Sequence, residues 1–258
     1  MSLKISIITV CFNSDTTIRD TIESVLSQDY PNIEYVVVDG QSTDSTIDIV
    51  NEYKGEISKV ISEPDRGIYD AMNKGIKYST GDVVGILNSD DFFENAHVIS
   101  DVVETFRSNP RAGLVIGDVL YVDPSDIYKV TRFYSSSKFK PFKLRFGWMP
   151  PHAATFIKTE VYRKFGTYST DYKISADYEL FVRLLLLHNL FYARLDKVLV
   201  RMRTGGISSS GVKSNIMLNI EIVKACRENG IYTNIFLVLI KIPFKLLEMA
   251  KRPATNRV

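Results

Sequence analysis

Apolar, largely β-branched runs recur four times in the first hundred residues, and segments with apolar residues at helical spacing separate them. The runs cover residues 4–10, 33–39, 58–62 and 82–87. Between the first two runs, Ile18, Ile22 and Val25 fall on one face of a helix. Alternation of this kind is typical of βαβ units around a mainly parallel sheet. The sequence therefore predicts a Rossmann-like α/β fold whose sheet is flanked by helices.

The pattern changes after residue 110, where shorter strands at 114–116, 128–133 and 153–157 replace the βαβ rhythm. A helix is predicted for residues 176–187, a glycine- and serine-rich loop for 205–211, and two helices for 215–251. We expect one domain with halves at 1–110 and 111–212, the second smaller and irregular. A C-terminal helical extension is expected at 213–258.

Polar residues gather where the predicted strands of the first half end. In open α/β sheets, ligands bind outside the carboxyl ends of the strands, so these residues are expected to share one rim. They are Thr9 and Asn13 after the first strand, Asp39 after the second, Glu63 and Asp65 after the third, and Asn88, Ser89 and Asp90 after the fourth.

The adjacent carboxylates of Asp90 and Asp91 repel one another unless a cation or a hydrogen-bond donor compensates them. A hard cation such as Mg²⁺ or Mn²⁺ is commonly held by one or two carboxylates together with phosphate oxygens. This pattern indicates a metal-assisted transfer from a nucleotide diphosphate. The alternative is that both acids only cap a helix that begins near Asn95.

Composition narrows the function classes only a little. The chain has 258 residues, 45% of them hydrophobic, and its 32 basic and 30 acidic side chains leave a net charge of +2. This charge gives no whole-protein field that favours nucleic acid. The two cysteines, Cys11 and Cys226, lie far apart in sequence and are expected to be buried thiols in a reducing compartment.

Membrane signals are weak. The N-terminus enters a strand pattern without the features of a signal peptide, and the apolar runs are shorter than the roughly 20 residues that span a bilayer. We therefore expect a cytoplasmic protein. The basic, aromatic-rich tail is either a helix packed on the core or a peripheral contact with the inner face of an anionic membrane.

Several motifs, taken in order, carry a resemblance to a known family. The segments "SIITVCFN", "VVVDGQSTDST", "SEPDRGIYDAMNKGI" and "ILNSDDFF" are similar to the nucleotide-binding half of family 2 glycosyltransferases, which are inverting enzymes of the GT-A fold. "PHAATFIK" and "SADYELFVRL" resemble acceptor-side segments of bacterial members that build surface polysaccharides. The resemblance covers roughly residues 4–203. It implies a nucleotide-sugar-binding half at 1–110 and an acceptor-binding, catalytic half at 111–212.

The resemblance implies roles for five residues near the nucleotide. Thr9 and Asn13 would flank it, and Asp39 would accept a hydrogen bond from the base, which is typically uracil. Asp65 would lie against the nucleoside, and Arg66 would reach phosphate.

The "NSD" segment formed by Asn88, Ser89 and Asp90 takes the position of the family's metal-binding DxD motif. Asn88 stands in place of the first acid. The last acid of the motif usually contacts the metal, so Asp90 is the expected ligand of Mn²⁺ or Mg²⁺. Asp91 would contact the sugar or the acceptor.

The resemblance assigns the general base to Asp177, at the position of the second acid of the family's ED motif. Ala176 stands where the preceding Glu is usual. The alternative role for Asp177 is to cap the helix that follows. Glu179 is discounted because it points about 200° around a helix from Asp177.

Two further residues are left with open roles. His152 is expected to be either a contact of the acceptor or diphosphate or a structural histidine. Arg203 precedes the loop at 205–211, which is either a lid that brings Arg203 near phosphate or an ordinary surface loop.

The expected function is inverting transfer of a sugar from a nucleotide-diphosphate donor, a UDP-sugar above others, to a hydroxyl of a saccharide or lipid-linked acceptor in polysaccharide biosynthesis. One alternative is a catalytically weak nucleotide-sugar-binding subunit, because Asn88 and Ala176 both depart from the family pattern. Another is a sugar nucleotidyltransferase, although "CFNSDTT" offers no glycine-rich phosphate loop. The absence of G-x-G-x-x-G at the same place argues against a dehydrogenase.

Overall fold

A computed structural model of the chain describes residues 2–205 and 211–243. The strands are β1 Ile5–Cys11, β2 Ile33–Asp39, β3 Lys59–Ser62, β4 Val83–Ile86, β5 Asp91–Phe93, β6 Leu114–Asp123, β7 Asp126–Tyr134, β8 Thr155–Lys158 and β9 Tyr192–Arg203. The α-helices are α1 Ile18–Leu26, α2 Thr46–Glu52, α3 Ile68–Tyr78, α4 Val98–Ser108, α5 Thr159–Phe165, α6 Ala176–Phe181, α7 Gly211–Glu228 and α8 Ile235–Leu239. Short 3₁₀ helices cover Pro141–Phe146 and His152–Ala154, and α6 continues as a π-helix over Val182–Leu187.

All nine strands belong to one curled sheet with the order β3-β2-β1-β4-β8-β6-β9-β5, and β7 pairs with β6. The first four strands are parallel, as the sequence predicts. Their register places Cys11 beside Asp39 and Asp39 beside Ser62, so three strands end at the same level. The expected rim of polar strand ends is therefore present.

Two apolar layers cover the sheet. Helices α1, α2 and α4 bury residues such as Ile22 and Val102 on one face, and α3, α5, α6, α7 and α8 bury residues such as Met72 and Tyr178 on the other. Burial on both faces explains why the strands of the first half are continuous apolar runs rather than alternating ones. The α/β fold class is confirmed.

The second half is more regular than the sequence predicts. Strand β6 has ten residues and β9 has twelve, and the two run parallel within the same sheet. Strand β9 escapes detection because charged residues such as Asp196 and Lys197 interrupt its apolar positions. The single sheet runs through both predicted halves, and the division at residue 110 stays a prediction.

The segment after β4 also differs from one expectation. Strand β5 follows the loop directly with Asp91 as its first residue, and helix α4 begins only at Val98. The alternative that Asp90 and Asp91 cap a helix near Asn95 is therefore wrong.

The C-terminal segment forms α7 and α8, as expected for the first part of the tail. The rest of that prediction, at residues 244–258, lies outside the described residues, as does most of the predicted lid, at 206–210. Cys11 and Cys226 are free and buried, which confirms that part of the prediction. Among the described helices, none combines the length and the apolar character needed to cross a bilayer.

Candidate active site

The loops that follow β1 and β2 are tied to each other at the rim. Asn13 adopts the left-handed conformation, with φ of 49°. Its side-chain Oδ1 accepts a hydrogen bond from the Thr43 backbone N–H at 2.8 Å, and its own N–H donates to Ser42 Oγ at 2.8 Å. Asn13 thus holds the two loops together at the place where the sequence expects a nucleotide.

The Asp39 carboxylate lies beneath these loops and is completely buried. It accepts hydrogen bonds from the Ser42 hydroxyl at 2.5 Å and the Ser62 hydroxyl at 2.6 Å, and the Ser42 backbone N–H also donates to it. These donors fix the orientation of the carboxylate. The predicted hydrogen bond from a base to Asp39 stays a prediction.

Asp65 lies directly over Gly40. A Cβ atom on Gly40 would come within 2.5 Å of Asp65 Oδ2, so only glycine allows this approach. The other carboxylate oxygen accepts a hydrogen bond from the Gly67 N–H at 2.8 Å. The same Cβ atom would lie 3.4 Å from the ring of Phe12, which is 61% exposed.

Phe12 was not among the residues predicted from sequence. An exposed aromatic ring beside a carboxylate at the end of a buried strand is suited to stacking against the base of a nucleotide. The signal available in the sequence was its position, since Phe12 directly follows the apolar run of β1 and precedes Asn13.

Thr9 does not occupy the place expected of it, and the contact expected between Arg66 and phosphate stays a prediction. Thr9 is fully buried, and its hydroxyl lies 3.0 Å from the Tyr35 hydroxyl inside the core, so its side chain does not flank a ligand. Both faces of β1 are covered by apolar layers, and Thr9 lies on the same face as Ile7, so its side chain is enclosed. Arg66 is largely exposed and pairs with Asp70 at 3.2 Å.

The loop after β4 divides its polar residues between the rim and the interior. Ser89 Oγ lies 2.8 Å from Ser14 Oγ and so joins this loop to the loop after β1. Asp91 is completely buried, and the Asn88 side-chain amide donates to its Oδ2 at 3.3 Å. Asn88 Oδ1 and Asp91 Oδ1 are buried without a hydrogen-bond partner in the described part of the chain.

This burial changes the interpretation of Asp91. Burial, reinforced by the neighbouring Asp90 charge, raises the pKa of Asp91 well above its ordinary value. A completely enclosed carboxyl on β5 is not open to a sugar or an acceptor, which corrects the contact expected from sequence. Asp91 instead pairs with Asn88 beneath the loop.

Asp90 remains at the rim, and Arg203 holds it there. The Arg203 guanidinium donates to the Asp90 backbone carbonyl at 2.8 Å, pairs with Asp20 and lies 5.0 Å from the centre of the Phe92 ring. Partial burial raises the pKa of Asp90, and the charges of Arg203 and His152 oppose that increase. The Arg203 side chain is only 7% exposed, so it positions Asp90 rather than facing solvent.

His152 and Asp177 form the other side of the site. His152 Nδ1 lies 3.3 Å from Asp177 Oδ2. The opposite oxygen of Asp177 accepts a hydrogen bond from the Tyr178 N–H at 2.8 Å and lies 3.4 Å from the Tyr69 hydroxyl. Glu179 pairs instead with Arg183 at 2.8 Å, in keeping with its exclusion from the site.

The structure thus brings together most of the residues that the sequence singled out. His152 contacts Asp177, and its charge opposes the increase that burial causes in the pKa of Asp90, so it relates the expected base to the expected metal ligand. The Ser14–Ser89 contact links the same loop to the segment around Asn13. Residues from four separate stretches of the chain, at 13–14, 89–90, 152 and 177, therefore meet at one rim.

The donor set at this rim fits a metal ion that is shared with a ligand. No three His, Cys, Asp or Glu side chains converge into a metal cage in the part of the chain that the structure describes. Asp90 is the only carboxylate of the "NSD" segment, and unlike the adjacent Asp91 it is not completely buried. Mg²⁺ and Mn²⁺ sites built from one carboxylate and substrate phosphates match this arrangement.

Comparison with known sequences identifies relatives. A chain of Mycobacterium tuberculosis described as an uncharacterised glycosyltransferase is 30% identical over 213 residues, which are 80% of this chain and 77% of the relative. A PGL/p-HBAD biosynthesis glycosyltransferase of Mycobacterium bovis is 30% identical over 69% of this chain and 68% of its own. The poly-β-1,6-N-acetyl-D-glucosamine synthase of Staphylococcus epidermidis is 34% identical over 44% of this chain and 28% of its own.

Solved structures share the fold. TarS from S. aureus in complex with UDP-GlcNAc superimposes with a TM-score of 0.64 and 18% identity, over 86% of this chain and 67% of that one. The mannosyltransferase PcManGT from Pyrobaculum calidifontis, in complex with GDP-Man and Mn²⁺, superimposes with a TM-score of 0.68 and 18% identity. The match covers 97% of this chain and 74% of that one. The sequence model of Glycosyl transferase family 2 matches residues 6–167. A match over more than half the sequence, together with the rim geometry, shows that the chain belongs to glycosyl transferase family 2.

Proposed function

We propose that the protein transfers a sugar, with inversion at the anomeric carbon, from a nucleotide-diphosphate donor to an acceptor hydroxyl. The observation that carries this proposal is the contact between His152 and Asp177 next to Asp90. It joins a candidate metal and diphosphate position to a candidate base. The motif resemblance favours a UDP-sugar, and the neighbouring TarS structure contains UDP-GlcNAc.

The nucleoside half of the donor would lie on the tied loops after β1 and β2. The exposed ring of Phe12 offers a stacking surface for the base, and Asp65 lies beside it for hydrogen bonds to the nucleoside. Asp39 supports the loop from below through Ser42 and Ser62. Asp39 either accepts an additional hydrogen bond from the nucleotide base or only holds the loop in place through Ser42 and Ser62.

Asp90 would hold the divalent cation, with the diphosphate completing the coordination. When bound, the ion neutralises charge that builds on the diphosphate leaving group. Arg203 fixes the backbone of Asp90, and the buried pair of Asn88 and Asp91 supports the loop beneath it. This arrangement presents one carboxylate to the ion without adding further negative charge beside the phosphates.

Asp177 would act as the general base. As the acceptor oxygen attacks the anomeric carbon, its proton passes to the free lone pair of Asp177 Oδ2, and the bond from the anomeric carbon to the diphosphate oxygen breaks with its electrons on that oxygen. Tyr178 N–H and Tyr69 hold the opposite oxygen of the carboxylate. His152 contacts Oδ2 and orients it between acceptor and donor.

We propose a saccharide or a lipid-linked saccharide as the acceptor, in polysaccharide or glycolipid biosynthesis. The names of the relatives in the PGL/p-HBAD pathway and of the poly-N-acetylglucosamine synthase support this class. Asn88 and Ala176, which replace acids usual in the family, favour a catalytically weak nucleotide-sugar-binding subunit as the second candidate.

The test combines binding with turnover. We expect UDP with Mn²⁺ to raise the melting temperature more than GDP or TDP with Mn²⁺, because a ligand that binds only the folded state stabilises it. Labelled UDP-sugars are then followed for transfer and hydrolysis with and without Mn²⁺. Binding without turnover would identify the non-catalytic subunit, and no shift with any nucleotide would contradict the proposal.

A further inference from the structure

The last two described helices carry an apolar surface that faces away from the core. Phe236 is 79% exposed, and large exposed apolar residues continue along both helices. Ile220, Ile235 and Phe236 line one groove between α7 and α8. Leu239 and Ile240 follow Ile235 and Phe236 by four positions, so they extend the same side of α8. We call these five residues the apolar patch.

The side of α8 opposite the patch packs on the protein. Val238 is completely buried, and Lys241 is nearly so. The Thr233 hydroxyl, just before α8, donates to the Arg145 carbonyl at 2.5 Å. A Cβ atom on Gly147, whose φ is 81°, would lie 2.8 Å from the Lys241 side chain. Helix α8 is therefore seated on the 3₁₀ helix Pro141–Phe146, with its patch on the side away from this contact.

The elements around the patch carry positive charge and little negative charge. Lys138, Lys140 and Arg145 are exposed on or beside the 3₁₀ helix, and Arg227 is exposed on α7 and lines the groove. Residues 127–159 contain no Asp or Glu, and neither do residues 229–243. Glu228 is the one acid that lines the groove, and Lys224 lies 3.8 Å from it.

We propose that the apolar patch and its basic surroundings dock on an anionic lipid bilayer. Large apolar side chains next to Lys and Arg are the composition with which a helix lies in a lipid headgroup region. The charge pattern favours lipid over a second copy, because a self-complementary contact would bring like charges together. The inference rests on the proposed function for its purpose, which is to bring the active site to a lipid-linked acceptor.

The path from this surface to the active site is short. His152 follows Arg145 by seven positions, and a chain of that length spans at most about 25 Å. The 3₁₀ helix, the turn Gly147–Pro151 and His152 are consecutive in the sequence. A saccharide attached to a lipid headgroup is long enough to cover such a distance with a few sugar units.

The experiment measures flotation of the full chain with vesicles of phosphatidylcholine alone or with about 30% phosphatidylglycerol. We expect binding only to the anionic vesicles, weakened by salt because exposed charges are screened. Each Lys or Arg near an anionic surface contributes about fivefold in partitioning, so the double change Lys140→Gln and Arg145→Gln is expected to lower binding about 25-fold. Phe236→Ser is expected to lower it at least about tenfold.

Matched controls lie elsewhere on the surface. Tyr128, on β7, is 83% exposed, and Arg111 is an exposed cation. Tyr128→Ser and Arg111→Gln should leave flotation unchanged. Melting temperatures with and without UDP and Mn²⁺ report folding and donor binding in every variant. If the unsubstituted chain shows no melting shift with UDP and Mn²⁺, the proposed function is refuted. The flotation result would still decide whether the apolar patch binds membrane.

Three results would overturn the membrane proposal. One is the absence of flotation with anionic vesicles. Another is flotation that responds to the control changes as strongly as to Phe236→Ser. The third is self-association that Phe236→Ser abolishes while vesicles bind nothing, which would identify a second copy as the occupant of the patch.

Discussion

Replacing Arg203 by Gln tests whether this side chain positions Asp90, the proposed metal ligand. Arg203 makes a charge-assisted hydrogen bond to the Asp90 carbonyl, which contributes about 1.5–3 kcal/mol. Its contact with the Phe92 ring adds about 1 kcal/mol. The Asp20 carboxylate is half exposed, so that ion pair adds at most about 1 kcal/mol. The expected loss of unfolding free energy is about 3 kcal/mol.

Stability alone does not separate a structural role from a positioning role, so a matched variant is needed. Arg201, two residues earlier on β9, is similarly enclosed and pairs with Glu94 through two hydrogen bonds of 2.6 and 2.9 Å. Arg201→Gln should cost a similar amount of stability. Both variants should melt roughly 6–12 °C below the unchanged chain, since about 1 kcal/mol shifts a domain of this size by 2–4 °C.

Calorimetric titration of Mn²⁺ in the presence of UDP distinguishes the two variants. Loss of a residue that supports a metal ligand typically lowers metal affinity 10- to 100-fold. We expect that loss for Arg203→Gln and none for Arg201→Gln. The loss should grow as the pH falls, because burial raises the pKa of Asp90 and the variant lacks the Arg203 charge that opposes the increase. Equal Mn²⁺ affinity in the two variants would refute the positioning role.

Three further predictions concern the base, the buried carboxyl and the nucleoside contact. Asp177→Asn should lower kcat about 10²- to 10⁴-fold in a transfer assay while the UDP-induced melting shift persists; unchanged turnover would remove Asp177 as the base. Burial raises the pKa of Asp91, so the folded chain keeps a proton that the unfolded chain releases above about pH 4. The free energy of unfolding therefore falls by about 1.4 kcal/mol per pH unit from about pH 4 up to the pKa of Asp91 in the folded chain. Asp91→Asn should therefore gain unfolding free energy relative to the unchanged chain in urea titrations as the pH rises from 4 to 7, whereas a constant difference would show that Asp91 is charged. Gly40→Ala places a Cβ atom 2.5 Å from Asp65 Oδ2 and should displace that carboxylate, so UDP affinity measured by titration should fall while Gly55→Ala, where nothing lies within 4 Å, should not change it.

The first half of the fold was predictable because its physical signals are local. A parallel strand buried on both faces needs an uninterrupted apolar run, and β1, β2 and β4 show one. Strand β9 carries charges along its length and satisfies them through tertiary partners such as Glu94 for Arg201. That compensation is not visible in any short window of sequence.

The site was predictable by residue type and position, but not by contact. Asp90 and Arg203 are 113 positions apart, and their contact depends on the pairing of β5 with β9. Asp90 and Asp91 are adjacent residues of the same type, but only Asp91 is completely buried, and the sequence does not reveal that difference. Thr9 failed as a candidate because β1 is buried on both faces, and the Thr9 hydroxyl lies against the Tyr35 hydroxyl in the core.

Because β8 runs in the reverse direction, the rim is formed both by segments that follow strands and by a segment that precedes one. Strand β8 runs antiparallel to β4, so the turn before it, which carries His152, meets the segments that follow the parallel strands. Under the proposed function, the donor contacts therefore lie in segments that follow strands, and the contact of His152 with Asp177 comes from a segment that precedes one. On that proposal, exchange of Pro150–His152 for another turn would alter acceptor choice and leave the donor contacts unchanged, so acceptor preference would diverge independently of donor preference.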